Sequence, residues 1–380
     1  MDNLTHSLVG LAAAKAGLER LSPGATTLCV LAANAPDADV VVGLFSDRWA
    51  LLQHHRGITH SILGVLILAV LLPLFFYACD FIISKLTRRS VRVKFGGLLL
   101  ASVIVSFTHP FLDWTNNYGI RLLLPWNSRW FYGDFVFILD PFIWLILGSA
   151  CFLLTTTTRF RRNAWLALGT LLTVFMMLSP RGGNLPHPWL VRCMWLAFLG
   201  SLIVLFKNNV GQRFGFRVAL ASFVLLSLYW GVLSFAHSRA LLKANSEAQA
   251  LIRPGEAITR LVAMPTLANA FGWDCVFETN QATYRFKLKL LSQAPVSQTL
   301  RYEKPTGQLE RALKEVASDR RTQIFLGFAR FPVAQLSGSD CSTQTLVQLA
   351  DLRYTEPGAS RGNFSLELPI DCAQPIITNR

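Results

Sequence analysis

The sequence predicts a mostly α-helical membrane protein, a polytopic helical bundle of about eight membrane segments with a C-terminal α+β extracytoplasmic domain. Three observations lead there. Of 380 residues, 52% are hydrophobic and only 15% charged, where a soluble chain carries roughly a quarter charged; mean hydropathy is +0.40. Apolar runs of membrane-spanning length recur as far as residue 237 and then stop. Along those runs, connecting loops alternate between rich and poor in cations.

Taken in order, the first two runs, 4–18 and 25–45, carry polar residues in their middles. They read as a helical hairpin, spanning or re-entrant, with Lys15 and Arg20 at its tip. Six stronger runs follow at 61–84, 97–114, 137–158, 164–180, 189–206 and 217–237. Each approaches the ~20 residues needed to cross a ~30 Å hydrocarbon core. Met1-Asp2-Asn3 lacks the basic start of a signal peptide, so none is expected. Nineteen Lys and Arg precede residue 239, and thirteen of them fall in alternate connections. These are the hairpin tip, the five-cation loop Lys85, Arg88, Arg89, Arg92 and Lys94, the trio Arg159, Arg161 and Arg162, and the trio Lys207, Arg213 and Arg217. The positive-inside rule puts these loops in the cytoplasm and the tail after 239 outside. Topology therefore accounts for the net charge of +14, and no nucleic-acid partner is expected. The expected location is a bacterial inner (cytoplasmic) membrane, with a periplasmic C-terminal domain.

The expected domains are 1–238, membrane helices carrying the site; 239–252, a linker helix; and 253–380, the α+β domain. Strand-like runs occur at 282–290, 324–333, 346–354 and 363–368. Residues 306–319 read as a helix with Leu309, Ala312, Leu313 and Val316 on one face. Cys29, Cys79, Cys151 and Cys193 read as packing residues, and Cys341–Cys372 is the pairing expected in the tail, leaving Cys275 over. No CxxC occurs, so a thiolate zinc site is not expected.

The ionisable residues of the membrane half are few and clustered. They are His6 in LTHSLVG, Asp37 and Asp39 in NAPDADVV, His54, His55 and His60 around HHRGITHS, and His109 and Asp113 in FTHPFLDW. The topology places every one near the outer membrane face. Singly, each has an ordinary structural reading: a helix cap, a turn, a wet loop. Together they mark a site, because ionisable groups at bilayer depth cost several kcal/mol unless paired or ligating. Imidazole with carboxylate and no thiolate suits a divalent metal, zinc first, with manganese and iron as alternates. His109 and Asp113, four apart, share a helix face and supply two ligands. Asp37 with either His55 or His60 completes four, and His6 with a shared Asp113 would serve a second ion, making one or two ions in all. Arg56 is placed to bind a phosphate oxygen, and Asp39 or His54 to act as base or to orient a ligand. Gly57 should break the helix, so that HHRGITHS forms a turn and a helix start.

The order THSLVG, PDAD, HHRGITHS and THPFLDW, over roughly residues 1–180, resembles the YdjM-like membrane-bound proteins, a family predicted to be metal-dependent hydrolases. The tail stretches PTLANAFGWDCVFET and LGFARFP are similar to the extracytoplasmic region of one subset of it. More distantly, the order resembles the zinc phospholipase C and single-strand nuclease group. That likeness implies Asp37, His55, His109 and Asp113 around one zinc, and His6 with Asp113 at another. The chain departs from this group in lacking a later HxxxE and an N-terminal Trp, so a three-metal cluster is not implied. The expected function is a membrane-bound metal-dependent hydrolase that uses a metal-activated water to cleave a phosphoester of a lipid or lipid-linked substrate. The alternatives are a metal or proton transporter, or an envelope scaffold with a structural polar cluster. Transport asks for ionisable groups across the whole bilayer, and the inner halves of these runs carry only an isolated Asp80.

Overall fold

A computed structural model describes residues 1–178, 188–296, 298–338, 345–359 and 364–370. Two compact units emerge. The first comprises Met1–Asp39, Arg56–Ser238 and Met264–Gly272; the second comprises Val40–His55, Arg239–Ala263 and the chain from Trp273 onward.

The first unit begins with a close helical hairpin. Helix α1 (Asn3–Lys15) is capped by Asp2, whose carboxylate accepts from the Thr5 amide, and α2 (Ala25–Asn34) follows a turn with left-handed Gly24. Small residues let the two approach: a Cβ at Gly10 would stand 2.5 Å from the Cys29 carbonyl oxygen. A 3-10 segment, Ala35–Val41, then carries the PDAD motif, and α3 (Val42–Phe45) and α4 (Arg48–His54) follow. Helix α5 (Ile62–Leu86) starts at Ser61, whose hydroxyl caps the Gly64 amide. Helices α6 (Phe95–Ser106) and α7 (Thr108–Trp114) form one apolar run interrupted at Phe107. Pro110 explains the interruption, since it has no N–H for the Ser106 carbonyl four residues back. Helix α8 (Pro141–Thr155) is capped by Asp140 and packs its Ile143, Leu147 and Cys151 with Leu8, Ala12 and Leu112 in the main core. Helices α9 (Arg159–Leu178), α10 (Pro188–Lys207), α11 (Val210–Phe214) and α12 (Phe216–Leu251) complete the helical part.

Among the described residues, five helical runs are long and apolar enough to cross a membrane: Ala25–Phe45, Ile62–Leu86, Phe95–Trp114, Trp189–Lys207 and Phe216–Leu251. The sequence pattern suggested about eight. Helix α8 is apolar, but its 15 residues rise only ~22 Å. Helix α1 has 13 residues, and α9 opens with Arg159, Arg161 and Arg162.

In the tail, strands β1 (Ile258–Thr266), β2 (Asn269–Thr279), β3 (Ala282–Lys289) and β4 (Leu300–Glu303) form a sheet in sequential order. Strands β5 (Pro332–Ser337), β6 (Thr345–Asp351) and β7 (Ser365–Ile370) form a second, antiparallel sheet with Val333 opposite Ala350 and Leu349 opposite Leu366. The expected helix is α13 (Gly307–Val316). The strand expected at 324–333 is instead mostly helix α14 (Arg320–Phe328), with β5 starting only at Pro332. Asp319 caps α14, and its buried Thr322, Phe325 and Phe328 lie three apart, a helical spacing. Cys341 and Cys372 lie outside the described residues, while Cys29, Cys79, Cys151, Cys193 and Cys275 are free thiols.

Candidate metal centre

Four separate pieces of the first unit deliver the site. Helix α1 carries His6, the 3-10 segment carries Asp37 and Asp39, the turn before α5 carries Arg56 and His60, and α7 carries His109 and Asp113 one turn apart. His6, His60, His109 and Asp113 are fully buried, and Asp37, Asp39 and Arg56 nearly so.

The turn forms as the sequence suggested, with one difference in its mechanism. Helix α4 stops at His54, and the residue that takes the left-handed conformation is Arg56 (φ 55), not Gly57 (φ −85). A short 3-10 turn, Ile58–His60, then folds back against the start of α5. Gly64 makes room for it, because a Cβ there would meet the Ile58 carbonyl oxygen at 1.9 Å. His60 thereby points into the first unit. His54 and His55 end α4 in the second unit, where His54 is exposed and His55 half-buried.

Four donor atoms converge: His60 Nε2, His109 Nε2, Asp37 Oδ1 and Asp113 Oδ2. The two nitrogens are 3.1 Å apart. Asp37 Oδ1 lies 3.2 Å from His60 Nε2 and 3.5 Å from His109 Nε2, and Asp113 Oδ2 lies 3.4 Å from both. A tetrahedral shell with bonds of about 2.0–2.1 Å has edges of about 3.3–3.4 Å, and these five distances lie within about 0.2 Å of that. The group can hold a metal ion.

The surrounding contacts aim these atoms. His109 Nδ1 donates to the Ala33 carbonyl at 2.6 Å, which leaves Nε2 as the lone-pair nitrogen. His60 Nδ1 lies 3.2 Å from Asp39 Oδ2, and that oxygen also accepts from the Arg56 amide at 3.0 Å and the Thr59 hydroxyl at 3.1 Å. This is the carboxylate–imidazole arrangement that fixes a ligand's tautomer and raises its basicity. Asp113 divides its oxygens. Oδ1 meets Arg56 NH2 at 3.0 Å and the Met1 α-amino group, while Oδ2 has no hydrogen-bond partner. His6 stacks on His109 with ring centroids 3.8 Å apart, sits 3.5 Å from Asp113 Oδ1, and has no hydrogen-bond partner on either ring nitrogen.

Two imidazole lone pairs and two carboxylate oxygens packed this closely repel one another unless a cation lies between them. The field shows in His60, which sits outside the apolar spans. Burial opposes its charge, yet the carboxylates of Asp113, Asp37 and Asp39 push its pKa up to about 10. The same carboxylate field attracts a divalent cation, which displaces that proton on binding.

Arg56 is 2% exposed. Besides Asp113, its NH1 donates to Asn116 Oδ1 and the Gly119 carbonyl, both at 3.1 Å, and its guanidinium lies over the Tyr118 ring. Asn116, Tyr118 and the Ala33 carbonyl were not anticipated from sequence. The only signal for the first two was their position in TNNYG, directly after THPFLDW.

Residues 1–184, which hold the whole cluster, match the family described as YdjM inner membrane protein. The chain is also similar to the uncharacterized protein YfhP of Bacillus subtilis (strain 168), 30% identical over 159 residues. That match covers 38% of this chain and 43% of the relative, so the chain spans less than half of that protein's length. No solved structure matches. In its motifs, its apolar helices and this match, the chain is, over residues 1–184, similar to the YdjM inner membrane protein family.

Proposed function

We propose that the protein is a membrane-bound, metal-dependent hydrolase acting on a phosphoester of a lipid or lipid-linked substrate at the periplasmic face of the inner membrane. The observation that carries this reading is the convergence of His60, His109, Asp37 and Asp113 at tetrahedral edge lengths. Two imidazoles and two carboxylates suit zinc best among the common divalent ions. Four protein donors fill a tetrahedral shell, so an ion held there would supply Lewis acidity and a water of near-neutral pKa where one of the four donors gives way to that water. The residues do the rest. Asp39 holds His60 in the ligating tautomer, the Ala33 carbonyl does the same for His109, and Arg56 fixes Asp113 by its Oδ1. Arg56 stands on the Asp113 oxygen that an ion beside His6 would share.

The ligand from HHRGITHS is taken as His60 rather than His55. Metal analysis of detergent-purified protein tests this directly: His60→Ala should lose bound metal and His55→Ala should keep it. The reverse result would return His55 to the centre. Hydrolysis of a chromogenic phosphodiester that falls in step with metal loss supports the enzymatic reading, and a metal-loaded protein inactive on every phosphoester tried counts against it. The periplasmic assignment rests on the cation alternation. A topology reporter fused after residue 240 should be active only in the periplasm.

A further inference from the structure

Arg56, with its donors on Asp113, Asn116 and Gly119, holds the centre together and leaves a different segment to meet an incoming lipid. That segment is the hairpin after α7. Ile120 and Phe131 pair across it, with N–O distances of 3.0 and 2.9 Å, and the ten residues between them read RLLLPWNSRW.

Its depth is fixed by attachment to two apolar runs. The base is tied to the end of Phe95–Trp114, where the Gly133 amide donates to the Trp114 carbonyl at 2.6 Å. Its first arm is tied to the start of Ile62–Leu86, where the Ile62 amide donates to the Leu122 carbonyl at 3.0 Å. A segment pinned to the ends of two spans lies at the membrane–water interface. Its chemistry matches that depth. Trp126 is 77% exposed and Leu123 38%. Arg121 lies over the Trp130 ring and Arg129 over Phe131. No acidic residue occurs from Trp114 through Gly133. Aromatic residues with cations are the composition of the interfacial belt. The hairpin also touches the centre, since Arg56 donates to Gly119 and Arg121 Nε to the Arg56 carbonyl at 3.5 Å.

We propose that the Arg121–Trp130 tip binds anionic phospholipid headgroups, with Arg121 and Arg129 on the phosphate and Trp126 and Leu123 in the acyl boundary. This places an anionic glycerophospholipid on the hairpin whose base contacts Arg56. It deepens the hydrolase reading by naming a class of lipid, and rests on that reading only for the chemistry that follows.

The test is native mass spectrometry of the full-length protein in neutral detergent, titrated with phosphatidylglycerol, phosphatidylcholine or inorganic phosphate, with metal content read in parallel. Wild type should take up phosphatidylglycerol in preference to phosphatidylcholine. Each arginine near an anionic lipid surface contributes about fivefold in binding, so Arg121→Gln/Arg129→Gln should weaken phosphatidylglycerol uptake about 30-fold. The exposed Arg129→Gln alone should weaken it about fivefold with metal content unchanged. Trp126→Ala should lower uptake of both lipids. Equal uptake of the two lipids by wild type, undiminished phosphatidylglycerol binding by the double variant, or displacement of the lipid by millimolar inorganic phosphate would each overturn the proposal. Lipid discrimination in a protein that holds no metal would retire the hydrolase reading and leave the lipid site standing.

Discussion

Each unit of the molecule buries a carboxylate next to an arginine, and the two are finished differently. In the tail, Asp351 and Arg353 are completely buried. Asp351 Oδ2 accepts from Arg353 NH2 at 2.7 Å, Arg353 Nε at 2.9 Å and the Arg330 amide at 3.0 Å; Oδ1 accepts from the Arg353 amide at 3.1 Å. Arg353 also donates to the Phe328 carbonyl and lies over the Phe328 and Tyr354 rings. In the membrane unit, Arg56 satisfies one oxygen of Asp113 and leaves the other facing two imidazole nitrogens with no donor of its own. A buried ion pair closed by its own donors is architecture. One that leaves lone pairs converging on a point can hold a metal ion.

The largest effect should separate the two outright. Asp113→Ala is expected to weaken metal affinity by more than about 100-fold, beyond the 10–100-fold that follows loss of an orienting partner. Asp351→Ala should leave metal content unchanged and cost about 3–5 kcal/mol in the tail, because Arg353 is left as an uncompensated buried charge. Metal analysis and denaturant titration of both proteins read this out. Metal loss in Asp351→Ala, or full metal in Asp113→Ala, breaks the comparison.

A smaller effect sharpens it. Asp39 holds His60 from the far side of the ring, so Asp39→Asn should keep the fold and lower metal affinity by about 10–100-fold, measured by chelator competition. Unaltered affinity would make Asp39 part of the turn only.

The smallest expected effect is purely structural. Asp319 caps α14, and the adjacent Arg321 side chain draws its pKa down to about 2. A carboxylate lowered on folding adds stability above its ordinary range near 4, and that contribution fades as pH falls through about 2. Asp319→Ala should therefore speed hydrogen exchange in α14 by the equivalent of about 1 kcal/mol at pH 7, with a smaller effect at pH 2. Metal content should not move at either pH.

How much of this was legible in the sequence varied with the physics involved. The motifs stood out because histidines and aspartates are rare inside apolar runs, so His6, Asp37, His109 and Asp113 announced themselves. The His109–Asp113 pairing followed from helical spacing alone. That His60 stands opposite His109 was not legible, since it depends on Arg56 adopting a left-handed backbone, which residue type does not forecast. The grip of Arg56 on Asn116 and Gly119 was hidden for a similar reason, as it joins residues 60 or more positions apart through a turn and a hairpin. In the tail, IFLGFARFP reads as apolar at both periods, and only the cap at Asp319 favoured helix over strand. Strands β1 and β2 were missed although they carry the buried Val262, Trp273 and Phe277, because buried and exposed positions do not alternate cleanly along them.

The dispersal of the donors has a consequence for biogenesis. They leave the ribosome in the order His6, Asp37, His60, His109, Asp113, spread over 108 residues of chain and at least three apolar runs. A nascent chain halted before Asp113 carries three of the four convergent donors and one open corner. The pocket becomes whole only when α7 is delivered and seated against the helices already inserted. On the metal reading, bound metal in a truncation series should appear abruptly with that helix rather than build up donor by donor.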